Sequence, residues 1–202
     1  ARWRPNHPVA HILPHWNWPE RTGQTTPVHL YTNADEAELF LNGTSQGRQK
    51  RHPNQYRFRW DEVKYTPGEL KVTTWKNGKP WATATTRTTG PATHLDATAD
   101  RLKIAADGTD LAFVTLRITD ANGQTVPRSK NPIQLRLEGP GEIVATDNGD
   151  PTDPTPFKSP HRRAFNGLAL AIIKARPNQK GTLTLHAHSE GLTPTKIDIR
   201  VE

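Results

Sequence analysis

Between Pro14 and Pro19 the chain carries His15-Trp-Asn-Trp18, which puts two indoles, an imidazole and an amide within four residues. Aromatic faces beside hydrogen-bonding groups suit a sugar ring, whose axial C–H face is apolar while its hydroxyls seek polar partners. In an extended segment, Trp16 and Trp18 point to one side and His15 and Asn17 to the other. The expectation is a flat, proline-stiffened carbohydrate surface made of His15, Trp16, Asn17 and Trp18. The competing reading is that both indoles plug a β-sandwich core or a domain contact, since most tryptophans are packing residues.

Other chemistry finds less support. Hydrolysis needs a nucleophile or paired carboxylates in a cleft. Asp35, Glu36 and Glu38 fall in a turn and on an outward strand face, and Ser45, Ser129, Ser159 and Ser189 lack a nucleophile elbow. Cysteine is absent, which removes thiol chemistry and disulfide staples. Asp147-Asn-Gly-Asp-Pro-Thr-Asp153 gathers the carboxylates of Asp147, Asp150 and Asp153 on a loop where calcium could bind. The loop lacks the ligand spacing and distal glutamate of an EF-hand, and its prolines dictate a turn in any case. His186 and His188 share a strand face without a third ligand, and Pro8 and Pro14 exclude a helix that would align His7, His11 and His15. No resident metal and no cofactor are expected.

The elements that must position these residues read as strands. Threonine and valine crowd the segments between 18 prolines and 14 glycines, and helical periodicity is hard to find. Val28, Leu30 and Thr32 alternate inward; Leu41-Asn-Gly-Thr44 has the positive-φ pair that a type I′ hairpin requires. The same turn explains Asn42-Gly-Thr44 better than glycosylation does. Tyr56, Phe58 and Trp60 are expected on one buried face, and Lys76-Asn-Gly-Lys79 turns the chain again. Thr88-Thr-Gly-Pro-Ala92 breaks the pattern, so the domains are placed at residues 1–90 and 91–202. In the second, Val114, Leu116 and Ile118 oppose Phe113 and Thr115, and Leu168-Ala-Leu-Ala-Ile-Ile173 has no polar face, as for a strand covered on both sides. The fold class is all-β, two tandem immunoglobulin-like β-sandwiches.

The net charge of +7 is uneven: residues 1–90 hold 13 Lys and Arg against 7 Asp and Glu, or +6, and residues 91–202 hold 14 against 13, or +1. The densest run, Arg48-Gln-Lys-Arg-His52, reads as a solvated loop, and no recognition helix or RNP-like pattern accompanies it. Nucleic acid is not an expected partner. No apolar run approaches a membrane span, so no membrane is expected either. The start at Ala1, without methionine, reads as a processed protein or an excised fragment.

Three stretches, His11-Ile-Leu-Pro-His-Trp-Asn-Trp18, Tyr31-Thr-Asn-Ala-Asp-Glu-Ala-Glu-Leu-Phe-Leu-Asn-Gly43 and Tyr65-Thr-Pro-Gly-Glu-Leu70, resemble the domain after the catalytic barrel of bacterial glycoside hydrolase family 2 β-galactosidases. Ala106-Asp-Gly-Thr-Asp-Leu-Ala-Phe-Val114, Asp120-Ala-Asn-Gly123, Glu138-Gly-Pro-Gly141 and Ala145-Thr-Asp-Asn-Gly-Asp150 resemble their C-terminal immunoglobulin-like domain. The resemblance implies a chain without the catalytic glutamates, which belong to an N-terminal TIM barrel. It also implies a non-catalytic accessory role with that barrel as partner. An aromatic near the start, Trp16 in the first instance, would line the substrate pocket, and an exported bacterial enzyme would fit polysaccharide breakdown. The charge around Arg48 and at Arg162-Arg163 is heavier than the family pattern suggests. The rival readings are a carbohydrate-binding module that grips a galactoside or acidic polysaccharide unaided, and a spacer of a cell-surface protein. The spacer accounts for the second half alone.

Overall fold

Alternation of β-branched and polar residues produces strands along the whole chain. The computed structural model describes residues 5–202, and over them runs a succession of β-strands and one 3-10 turn, Pro19–Arg21. Among the described residues no helix is long and apolar enough to cross a membrane. The chain divides into two compact units, Ala1–Thr88 and Thr89–Glu202. Each is a two-sheet β-sandwich, so the all-β, tandem-sandwich architecture is observed.

In the first unit, β1 (Ala10–Leu13), β2 (Val28–Thr32) and β5 (Phe58–Trp60) form one antiparallel sheet, ordered β1-β2-β5. The facing sheet contains β3 (Glu36–Leu41), β4 (Thr44–Lys50), β6 (Glu69–Lys76) and β7 (Lys79–Arg87), ordered β4-β3-β6-β7. Period-two burial sends Val28, Leu30, Ala37, Leu39, Leu70 and Val72 between the sheets, where they meet Trp16, Phe58, Trp60 and Tyr65. Asn42 and Gly43 both have positive φ (49° and 81°), as do Asn77 and Gly78 (51° and 72°), so both hairpins close as expected.

Two expectations fail here. Tyr56 is 81% exposed, because β5 begins only at Phe58 and the alternation has no strand to act on before it. The basic run is not a loop: Arg48, Gln49 and Lys50 lie in β4, an edge strand with no apolar side chain. Arg48 pairs with Glu36 at 2.9 Å and lies 3.8 Å over the Trp75 ring, while Arg51 donates to the Ala34 carbonyl at 2.9 Å. Charge on an edge strand blocks pairing with foreign strands, which gives the run a structural role.

The second unit pairs a four-stranded sheet with a five-stranded one. The former contains β8 (His94–Ala99), β10 (Leu111–Thr119), β12 (Gly141–Asp147) and β14 (Leu168–Ala175), ordered β12-β14-β10-β8. The latter contains β9 (Lys103–Ile104), β11 (Pro132–Glu138), β13 (His161–Arg163), β15 (Gly181–His188) and β16 (Thr195–Val201), ordered β13-β11-β15-β16-β9, with β9 and β16 parallel. Ala112, Val114, Leu116, Ile118, Ile173, Leu183, Leu185 and Ile199 fill the interior. Gly139 has φ +97°, and a Cβ there would lie 2.1 Å from the Thr182 carbonyl oxygen, so Glu138-Gly-Pro-Gly141 needs glycine at that position. Leu168-Ala-Leu-Ala-Ile-Ile173 departs from expectation. Ala169, Ala171 and Ile173 are buried, but Leu168 is 40% exposed and Leu170 and Ile172 are half-buried, because a two-layer sandwich covers one face of β14 only.

Candidate functional site

The His15–Trp18 segment follows β1 and runs into the 3-10 turn at Pro19; the Leu13–Pro14 peptide is cis. The segment is not a strand, so period-two alternation does not govern it. Trp16 is fully buried. Its ring packs at 4.8 Å from Tyr65, tilted by 52°, and its Nε1 donates to the Thr66 carbonyl at 2.9 Å. The Trp16 carbonyl accepts from Thr88 Oγ1 at 2.7 Å, and Thr88 Oγ1 accepts in turn from the Gly68 amide at 3.1 Å. Asn17 is 8% exposed, with Nδ2 donating to the Arg87 carbonyl. Trp18 instead stacks on His15, with ring centroids 4.3 Å apart and planes 17° apart, and its Nε1 donates to the His15 carbonyl at 2.9 Å.

The outward pair of indoles is therefore corrected. Trp16 belongs to the core and Asn17 is tucked beneath the surface, whereas half-buried His15 and Trp18 form the aromatic pair that reaches solvent. The bend at Pro14 sets positions 15 and 18 together in place of 16 and 18. Tyr65 and Thr88, which anchor Trp16, escaped sequence reasoning because they are 49 and 72 residues away. The neighbouring Thr-Pro-Gly turn was their one local signal. Two further indoles are covered by cations, Trp75 by Arg48 and Trp81 by Lys76 at 4.6 Å.

The acidic loop is committed to holding itself together. Asp147 Oδ1 accepts from the Asn148 and Gly149 amides, and Asp150 Oδ1 accepts from the Thr152 amide and hydroxyl. Asp153 accepts from the Thr155 amide, from Asn148 Nδ2 and from Arg162 Nη1 at 3.0 Å. Hydrogen bonds from Thr155, and then the Arg162 guanidinium, hold the Asp153 carboxyl far below the usual carboxylate range. Arg162 is 3% exposed and also donates to the carbonyls of Thr146, Thr155 and Pro156. A buried guanidinium thus supplies the positive charge at this loop. Sequence reading noted Arg162 only as excess charge, since its partners come together only when the loop folds back on β13.

Gln134, Arg136, His161, His186, His188 and Lys196 line an open depression of about 650 Å³ on the outer face of the five-stranded sheet. Gln134 sits opposite both His161 and His188, and His186 opposite Arg136 and Lys196. Glu138 offsets this charge, pairing with Arg136 and lying 3.4 Å from His186. Among the described residues no cluster of three or more acidic or imidazole side chains is placed to hold a metal ion.

Residues 95–198 match the glycoside hydrolase family 2 C-terminal domain 5, and residues 23–82 match a domain of unknown function. The chain is 37% identical over 195 residues to the β-galactosidase BoGH2A of Bacteroides ovatus, covering 96% of this chain and 22% of that protein. It is 33% identical to a putative β-glucuronidase of Formosa agariphila, covering 86% of this chain and 17% of that one. A crystallised β-glycosidase from Bacteroides vulgatus superposes with a TM-score of 0.90 at 31% identity, over 96% of this chain and 25% of the other. The chain thus spans a quarter or less of the length of these relatives. The chain belongs to glycoside hydrolase family 2, as part of the C-terminal β-sandwich region of such an enzyme.

Proposed function

We propose that the chain is the non-catalytic accessory region of a family 2 β-galactosidase. In this reading its first unit supports the catalytic barrel and offers Trp18, backed by His15, to the aglycone side of the substrate pocket. The observation that carries the reading is the His15–Trp18 stack, an aromatic pair that keeps solvent-facing surface while its backbone is pinned through Trp16 to Tyr65, Thr66 and Thr88. A ring fixed in this way loses little freedom when a sugar or aryl group packs on it. The galactoside assignment leans on the Bacteroides ovatus relative, with the Formosa protein naming glucuronides as the competing substrate class.

The test uses the full-length parent. Trp18→Ala is expected to lower kcat/KM for an aryl β-galactoside about 2- to 10-fold, the worth of one aromatic contact, with the fold intact by circular dichroism. Unchanged kinetics would remove Trp18 from the pocket, and faster turnover of an aryl β-glucuronide than of the galactoside would reassign the substrate. The 202-residue chain alone is expected to hydrolyse neither. Heat on titrating galactosides or acidic polysaccharide into that chain would favour the rival reading of an autonomous binding module. Against it, Trp75 and Trp81 already carry a cation over one face.

A further inference from the structure

The two outer sheet faces of the second unit differ in kind. The five-stranded sheet shows solvent Gln134, Arg136, Glu138, His186, His188 and Lys196, as an antiparallel sheet with one wet face does. The four-stranded sheet shows an apolar centre. Ala145, Ile172 and Phe113 lie side by side across β12, β14 and β10, and Leu170 lies beside Thr115, which lies beside Thr98 on β8. Phe113 is 37% and Leu168 40% exposed, and charge enters only from the margins, with Arg117 beside Leu168 and Asp147 on the edge strand beside Leu170. Ion pairs fringe it, Lys174 with Glu142 and Arg117 with Asp96, each at 3.1 Å. Two open depressions of about 520 and 230 Å³ run along it, meeting at Thr115, the first bounded by Asp100 and Arg117 and the second by Asp147. An apolar centre inside a charged rim is the anatomy of a protein contact, and a contiguous exposed apolar patch on a soluble domain calls for a cover.

We propose that this face of β12-β14-β10-β8 docks against an apolar, uncharged surface of the parent polypeptide lying outside these 202 residues. The inference rests on the reading of the chain as an accessory region of a larger glycosidase. Three quarters or more of each relative's length lies outside the matched region, so such a surface is tethered to this face. Tethering gives an effective concentration of about millimolar, enough for a modest patch to close without high intrinsic affinity. It also explains why Leu168, Leu170 and Ile172 of β14 point away from the interior although their own unit covers one side only.

The chain contains no cysteine, so a single introduced thiol reports the face directly. Thr115→Cys stands in its middle, Thr98→Cys repeats the measurement on β8 should the first variant fold poorly, and Gln134→Cys on the opposite sheet is the control. Maleimide labelling of the tagged peptide is read by mass, in the 202-residue chain and in the full-length parent. Labelling at residues 115 and 98 is expected to be about 10-fold slower in the parent than in the chain, with residue 134 unchanged, because access limits thiol reaction. Equal rates in both forms would overturn the proposal. So would protection that grows with concentration of the 202-residue chain, which would assign the face to a second copy. Parent turnover on aryl galactosides, assayed separately, tests the accessory reading without altering the labelling result.

Discussion

The first unit fills its interior with Trp16, Phe58, Trp60 and Tyr65, whereas the core of the second is built from Leu, Ile, Val and Ala and buries no aromatic ring. Indole and phenol groups bring a polar atom into the core, and each must find a partner there. Trp16 Nε1 reaches the Thr66 carbonyl, Trp60 Nε1 the Gly47 carbonyl at 3.0 Å, and the Tyr65 hydroxyl the Trp16 carbonyl. These contacts draw irregular segments into the packing of the first sandwich. In the second, aliphatic chains pack from regular strands and carboxylates hold the loops: Asp120, 2% exposed, accepts from the amides of Gly90, Asn122 and Gln124. Asp100, Asp107, Asp120, Glu138, Asp150, Asp153 and Glu202, all in that unit, are held below the ordinary carboxylate range. One sandwich is thus secured from inside by aromatic groups and the other from its loops by charge.

The contrast can be broken at its strongest point by Trp16→Ala, expected to cost the first unit about 3–5 kcal/mol through cavity and transfer effects, with Trp18→Ala costing under about 1 kcal/mol. All six tryptophans precede residue 89, so denaturant unfolding followed by indole fluorescence reports the first unit alone. Equal losses for the two variants would contradict the buried and half-buried assignments. Arg162→Ala is the counterpart in the second unit. Removing one partner of a buried charge pair costs about 3–5 kcal/mol, read as a loss in the circular dichroism transition with the fluorescence transition unmoved. Asp120→Ala frees three amides and is expected to cost about 1–3 kcal/mol in the same unit.

Acid separates the units next. The folded carboxyls bind protons less readily than the unfolded chain does, so their stabilisation is present above about pH 4 and is lost progressively as pH falls further. In the first unit His29 is lowered by burial and then by Arg57 and Arg59, so its contribution is complete above pH 6.5 and falls away below it. Fluorescence is expected to drift from about pH 6, and the circular dichroism change assigned to the second unit to fall below about pH 4. A single shared transition would show that the two cores are not independent. The smallest effect is Tyr56→Ser, within about 0.5 kcal/mol because the ring stands in solvent.

Strands were legible wherever alternation ran uninterrupted. Val114, Leu116 and Ile118 point inward as their spacing requires, and Asn42-Gly43 and Asn77-Gly78 close hairpins because few other pairs tolerate positive φ twice. Tyr56 departs from the expectation because the alternation begins before the start of β5, where no neighbouring strand gives it a face. The basic run around Arg48 was misread because an edge strand need not bury anything on itself.

Local composition, then, determined the all-β class, the hairpin turns, the family resemblance and the presence of an aromatic segment near the start, because each depends on residues within a few positions of one another. Tertiary packing alone decided that Trp16 turns inward while Trp18 rests on His15, that Arg162 enters the acidic loop, and that one face of β14 is left bare. Those outcomes depend on partners such as Tyr65 and Thr88 for Trp16, and Thr146 for Arg162, which come within reach only after the sheets have formed.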